Sequence, residues 1–211
     1  MIPAWLGKAE RRLGFVQVPG LAKFLIGMNV AVGLLSFFNP QFPAQLLLDP
    51  ALLLSGQIWR ALTFLFVPYA FDALGLLIWI LWLFVFLPQL EWMLGEFGFT
   101  LFCLTSALAT VAASALYGAA LSNTAVYAAL FLAYARLNPD AQILLFFFFP
   151  LKIKWIGVAT WAYLLLSFFM FGPAWRVELL AGLAGYALFF GPEHWRDFRF
   201  WIRRARNRGR Y

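Results

Sequence analysis

The chain has 211 residues, 64% hydrophobic and 12% charged, where a soluble domain is about half apolar and a quarter charged, so a water-soluble monomer is excluded. Its 25 Phe and 10 Trp exceed what one small core can bury and must face lipid, as in an integral membrane protein. A single cysteine, Cys103, and a single histidine, His194, exclude a disulfide framework and a metal cage, no cofactor is implied, and the net charge of +7 reflects 16 basic residues whose placement sets the orientation.

Residues 1–20 lack a continuous apolar core and a small-residue cleavage pattern, so they are expected to be a cytoplasmic segment, with the first span directing insertion. Charge-free stretches mark the spans, because a charge at the bilayer centre costs a few kcal/mol and about 20 apolar residues cross the hydrocarbon. Lys23 and Asp49 bracket the first such stretch, and its apolar helix should run from about Leu21 to Phe38, stopped by Asn39-Pro40. Gln41 to Phe66 is too apolar for an exposed loop, with Leu46-Leu47-Leu48, Leu52-Leu53-Leu54 and Trp59-Arg60. It is expected to lie partly submerged, Trp59 at the headgroup level and Arg60 snorkelling, either covering the bundle or forming a lateral entrance for another protein's helix.

The second span runs from Leu74 to Leu90, closed by Glu91. Phe97 to Ala135 carries no charge and is nearly twice the length one span needs, so it must fold back. Ser122-Asn123-Thr124 supplies the turn, giving spans near Phe99 to Ala119 and Ala125 to Leu137. Asn138-Pro139-Asp140 ends the fourth, and Ile143 to Pro150, with four consecutive Phe, is too short to cross and is expected in the interface or against the bundle. Trp155 to Phe171, broken by Gly172-Pro173, and Trp175 to Phe190, broken by Gly191-Pro192, complete six spans.

With both termini cytoplasmic, every basic residue except Arg60 and Arg176 falls inside, which agrees with the positive-inside rule. The chain then divides into the cytoplasmic segment 1–20, one membrane domain over 21–191 and a basic cytoplasmic tail, 192–211. That tail sets Arg196, Arg199, Arg203, Arg204, Arg206, Arg208 and Arg210 among Trp195, Phe198 and Ile202 at helical spacing. It is expected to fix topology and to contact anionic lipids; nucleic acid is not an expected partner.

Glu178 stands about one turn inside the outer end of the sixth span, where an ionisable residue normally faces the bundle and has a partner. Arg60 and Asn123 lie at comparable depth, so the three are expected to form an intramembrane polar cluster. Ala181, Gly182 and Gly185 give the same helix a small-residue face for close packing, for which the fourth span offers Ala125, Ala128 and Ala129. Apart from Asn29, Gln89, Asn123 and Glu178 the spans supply little for the polar face of a channel.

The string Gly56-Gln57-Ile58-Trp59-Arg60-Ala61-Leu62-Thr63-Phe64-Leu65-Phe66, followed by a span and then Leu90-Glu91-Trp92-Met93-Leu94-Gly95, resembles the first loop and second span of the rhomboid superfamily, its derlin branch above all. Leu137-Asn138-Pro139-Asp140, Lys152-Ile153-Lys154 and Glu178 to Gly185 with Phe189-Phe190 resemble later parts of derlins in the same order, with Ala181 where a GxxxG-type pattern has its first glycine. The resemblance covers roughly Asn39 to Phe190 and implies an all-α membrane protein, six transmembrane helices in a rhomboid-like bundle with a partly embedded first loop. It implies roles for Trp59 and Arg60 in the lateral-entry loop and for Glu91, Gly95 and Asn138 as family-motif positions.

Active rhomboids are serine proteases with a serine in a Gly-x-Ser-Gly turn at the fourth span and a histidine in the sixth, because a hydroxyl is a weak nucleophile until an imidazole takes its proton. Here the turn reads Leu121-Ser122-Asn123-Thr124, with Asn123 at the nucleophile position, and the sixth span holds Glu178 and no histidine. Ser122, one residue out of register, is left without a base. The resemblance therefore implies a non-proteolytic protein that binds membrane-protein segments laterally and assists quality control or retrotranslocation. The fourth and sixth spans are short for the hydrocarbon core, so local bilayer thinning beside them is expected, the alternative being that spans two, three and five enclose both helices. Its implied partners are transmembrane or misfolded membrane proteins, a soluble ATP-driven motor and further copies of the chain. An intramembrane protease with an unrecognised site and a structural subunit or channel stay open as alternatives.

Overall fold

The computed structural model describes residues 5–145 and 149–208, the side chains of 144, 145, 149, 197, 198 and 200–208 excepted. Nine helices are described: α1 (Leu6–Leu13), α2 (Leu21–Phe38), α3 (Pro50–Leu54), α4 (Arg60–Thr63), α5 (Ala73–Tyr117), α6 (Thr124–Leu137), α7 (Ile153–Met170), α8 (Pro173–Gly182) and α9 (Ala184–Arg208). α2, α5 and α7 are long and apolar enough to cross a membrane, and α6 is a shorter apolar helix.

The long α5 is two helices joined at Gly95, whose φ of 73° and ψ of 158° no helix contains. Side-chain pairings give the directions on either side. The first half runs antiparallel to α2, with Trp79 Nε1 donating to Asn29 Oδ1 and Glu91 accepting from the Ala22 amide. It runs parallel to α6, since Trp79 meets Tyr127, Trp82 and Phe86 meet Phe131, and Tyr134 donates to Gln89. α6 in turn is parallel to α8 and α9, Ala125 abutting Gly182 and Arg136 pairing with Glu193. The second half of α5 opposes α9, Ser106 lying at Gly185 and Phe102 at Phe189. The two halves of α5 are therefore antiparallel to each other, and the chain reverses at Gly95.

α6 is the axis of this bundle, with 10 of its 14 residues buried, whereas α7 buries only four of 18. Peripheral α7 displays Val158, Leu165, Leu166 and Phe169, each more than half exposed. α6, the expected fourth span, is thus enclosed by its neighbours in the bundle.

The segment after α6, expected in the interface or against the bundle, forms an antiparallel hairpin, β1 (Gln142–Leu145) with β2 (Phe149–Lys152), Gln142 opposite Lys152. A short apolar run cannot be told from a strand by periodicity, and Pro150 is tolerated in a two-stranded edge. The expected stop at Gly191-Pro192 does not occur, because α9 continues through Pro192 to Arg208. A proline removes one helix bond, and here Tyr186 to His194 and Arg136 to Glu193 contacts brace both flanks. Arg210 lies outside the described residues, as do 146–148 of the aromatic run.

Between α2 and α5 the loop is built from short helical turns. Asp49 caps α3, its Oδ1 accepting from the amides of Ala51 at 2.9 Å and Leu52 at 3.2 Å. Leu48 lends its carbonyl to the amide of Leu121, which ties this loop to the turn before α6.

Candidate functional site

Gly118 ends α5 in the left-handed region with φ 74°, and the chain then passes through Leu121, Ser122 and Asn123 into α6. Here Glu178 of α8, 5% exposed, accepts twice from one residue: the Ser122 amide at 2.9 Å on Oε2 and the Ser122 hydroxyl at 2.5 Å on Oε1. A hydroxyl has one proton, so with that proton on the carboxylate the Thr124 hydroxyl, 2.9 Å away, is the donor to Ser122 Oγ. The Thr124 amide donates to the same oxygen at 3.1 Å. Charge-assisted bonds of this kind stabilise a carboxylate taken out of water.

Asn123 faces the other way, into the loop, its Nδ2 donating to the carbonyls of Phe64 at 2.9 Å and Val67 at 2.8 Å. A cavity of about 160 Å³ opens beside it, lined by Ser122, Asn123 and Thr124 on one side and by Leu47, Val67 and Tyr69 on the other. Hydroxyls and an amide thus meet a mostly apolar wall under the loop.

Arg60 does not join them. It is buried, 6% exposed, with Nε on Gln57 Oε1 at 2.8 Å and Nη1 on the carbonyls of Ala44 and Leu47 at 3.1 and 2.8 Å. The guanidinium neither snorkels nor meets Glu178; no ion pair links the two among the described residues. The reason is local: the turn from Ala44 to Leu47 leaves carbonyls without helix partners, and a planar donor set satisfies them. The expected three-residue cluster therefore resolves into a Glu178–Ser122 lock, an Asn123 tie to the loop, and an Arg60 clasp within it. Trp59, its neighbour, points outward at 52% exposure.

A second polar junction was not singled out as a site by sequence. Asn29, fully buried, donates to the carbonyl of Leu65 at 3.3 Å and to Tyr127 Oη at 2.9 Å and accepts from Trp79 Nε1 at 3.0 Å; Tyr127 also donates to Leu65 at 2.7 Å. One amide thereby joins α2, α5, α6 and the end of the loop. A lone Asn in an apolar helix was the only sign of it, since its partners are a backbone carbonyl and two aromatics.

The small residues of the sixth segment address two neighbours rather than one. A Cβ on Gly182 would collide with Ala125 and the backbone of α6, and one on Gly185 would stand 2.5 Å from Ser106 Oγ and 2.7 Å from the Phe102 carbonyl of α5. Ala181 is half-buried beside them. At the end of the bundle away from Ser122, Glu91 accepts from the Ala22 amide at the start of α2, Gly95 makes the reversal, and the Asn138 amide closes α6 on the Tyr134 carbonyl. Glu96 accepts from Gln17, so the two acidic residues beside Gly95 anchor the start of α2 and the segment before it. His194 lies sixteen residues beyond Glu178, about 24 Å along the helix axis, with Nε2 2.9 Å from the Tyr186 hydroxyl. No imidazole approaches Ser122 among the described residues. The chain matches no known family model and no curated protein.

Proposed function

We propose that the chain is a derlin-like member of the rhomboid superfamily, a six-span membrane protein with both termini cytoplasmic that works without proteolysis. It admits membrane segments of other proteins beside its first loop and assists their quality control or retrotranslocation. The observation that carries this reading is the engagement of the turn before α6, the place where rhomboid proteases hold their nucleophile. Ser122 is tied through amide and hydroxyl to Glu178, and Asn123 to the loop carbonyls, so the turn is a structural joint. The alternation of α2, the two halves of α5, α6, α7 and α8–α9 supports six spans. The loop supports a lateral port, since Leu54, Ile58, Trp59 and Leu62 are exposed around the internal clasp of Arg60. Any bilayer thinning belongs to the lipid-facing helices: α2 and α7, 18 residues each, reach about 27 Å against a core of about 30 Å.

A second reading is favoured by the short Ser122–Glu178 contact beside a cavity, namely a serine hydrolase with a carboxylate base. A carboxylate is a weak base for a hydroxyl at neutral pH, and here both its oxygens serve one residue's donors, which is the geometry of a lock. Crosslinking in native membranes, with photoreactive groups at Trp59 and Ile58, tests the first reading: capture of single-span proteins with polar residues in their spans is expected, and capture of lipid alone overturns it. Labelling by a serine-reactive fluorophosphonate that is lost in Ser122→Ala would instead establish the hydrolase.

A further inference from the structure

The inner ends of α6, α7 and α9 enclose a cleft of about 280 Å³, at the opposite end of the bundle from Ser122. α6 and α7 meet along it at Ala135 and Gly157, where a Cβ on the glycine would stand 3.0 Å from that of Ala135. On each of the three helices the lining changes in the same direction. Along α6 it passes from Leu132 to Arg136, along α7 from Trp161 to Lys154, and along α9 from Tyr186 to His194. Apolar and aromatic side chains therefore lie toward the middle of the bundle and basic ones at its inner end, within about two helical turns.

The basic end is held in shape by its neighbours. Arg136 meets Glu193 at 3.2 Å and lies over the Phe190 ring at 5.7 Å, and Lys154 is 3.9 Å from Asp140. These carboxylates leave an excess of positive charge: Arg136, Lys152 and Lys154 oppose Asp140 and Glu193, and Arg196 and Arg199 follow along α9 with Asp197 between them.

A free phosphate ion would use only the basic half of this cleft, and a zwitterionic headgroup would bring a cation to it. A phosphodiester with net negative charge and acyl chains matches both halves. We propose that the cleft binds one anionic phospholipid, its phosphate between Arg136, Lys154 and His194 and the first part of a chain along Val158 and Trp161. This requires the helices to stand in a bilayer and is independent of the quality-control reading.

Native mass spectrometry of the full chain, equilibrated in micelles with equal amounts of phosphatidylglycerol and phosphatidylcholine, tests it. One phosphatidylglycerol is expected to be retained in preference. Lys154→Gln should weaken retention about fivefold, the factor a basic residue at an anionic surface contributes. Val158→Trp, which fills the apolar half, should weaken it too, while Lys8→Gln on α1 leaves it unchanged. Lys154 and Val158 are exposed, so neither change undermines the fold. Equal retention of the two lipids, or retention indifferent to both variants, overturns the site. Displacement by inorganic phosphate or by deacylated headgroup at the lipid's own concentration overturns the lipid assignment in favour of a phosphate site.

Discussion

Glu178 has both oxygens on Ser122, while Arg60 has its donors on loop carbonyls, so mutational coupling should follow those contacts. Ser122→Ala should lower stability in detergent by about 1–2 kcal/mol, and adding Glu178→Gln should cost less than the two changes separately. Glu178→Gln with Arg60→Leu should be additive. Denaturation of the three single and two double variants measures this; coupling between Arg60 and Glu178 in place of Ser122 and Glu178 would contradict the geometry. Asn29 provides a comparison without formal charge. Asn29→Ala strands Trp79 Nε1 and removes a partner of Tyr127, so a loss of about 1–2 kcal/mol is expected, with faster protease cleavage in the loop near Leu65. A variant as stable as the parent with an equally protected loop would show that the junction does not hold the loop. Both sites were only half legible in sequence: Glu178, Asn123 and Asn29 stood out as polar residues in apolar surroundings and Ser122 as part of a turn, but the pairing of Ser122 with Glu178 and the carbonyls that answer the two amides carry no signature.

Within α5 the reversal depends on one residue. At Gly95 a φ of 73° with a ψ of 158° is essentially reserved for glycine, so Gly95→Ala should cost about 1–3 kcal/mol although open space surrounds the added Cβ. An unchanged melting midpoint would mean that the turn relaxes freely. Between helices, the enclosure of α6 makes a different test. Insertion of one apolar turn in α6 should unfold or destabilise the bundle, because that helix is packed on nearly all sides, whereas one added turn in α7 should be tolerated and alter substrate crosslinking through mismatch with lipid. A lengthened α6 variant that folds and crosslinks normally would rule out the central position. Periodicity could not have foreseen that position, because a helix apolar on all faces reads alike whether it meets lipid or protein.

For the whole molecule, the alternating helix directions put α1, the Gly95 turn, the hairpin and His194 at one end, and Gly118, Ser122 and the long loop at the other. The proposed topology, which follows the positive-inside rule, makes the first of these ends the cytoplasmic one. On a Cys103→Ala background, a cysteine at Lys152 or Arg196 should react with a membrane-impermeant maleimide only after the membrane is opened, and one at Trp59 before. Labelling of Arg196→Cys from outside the sealed membrane would invert the topology.

The sequence by itself determined that the chain belongs in lipid and where apolar stretches begin and end, since a bilayer rewards length and absence of charge, and both are countable. α2 coincides with its expected span from Leu21 to Phe38 for that reason. Tertiary structure decided which helix is central, which carbonyls Arg60 serves and which residue answers Glu178. Those depend on distances between residues far apart in the chain, as with Ser122 and Glu178, and on backbone groups that every residue shares. It also decided that Pro192 would be passed and that the segment after α6 would pair as a hairpin, because a local signal to stop holds only until neighbouring contacts outweigh it, and a short apolar run does not specify its partner.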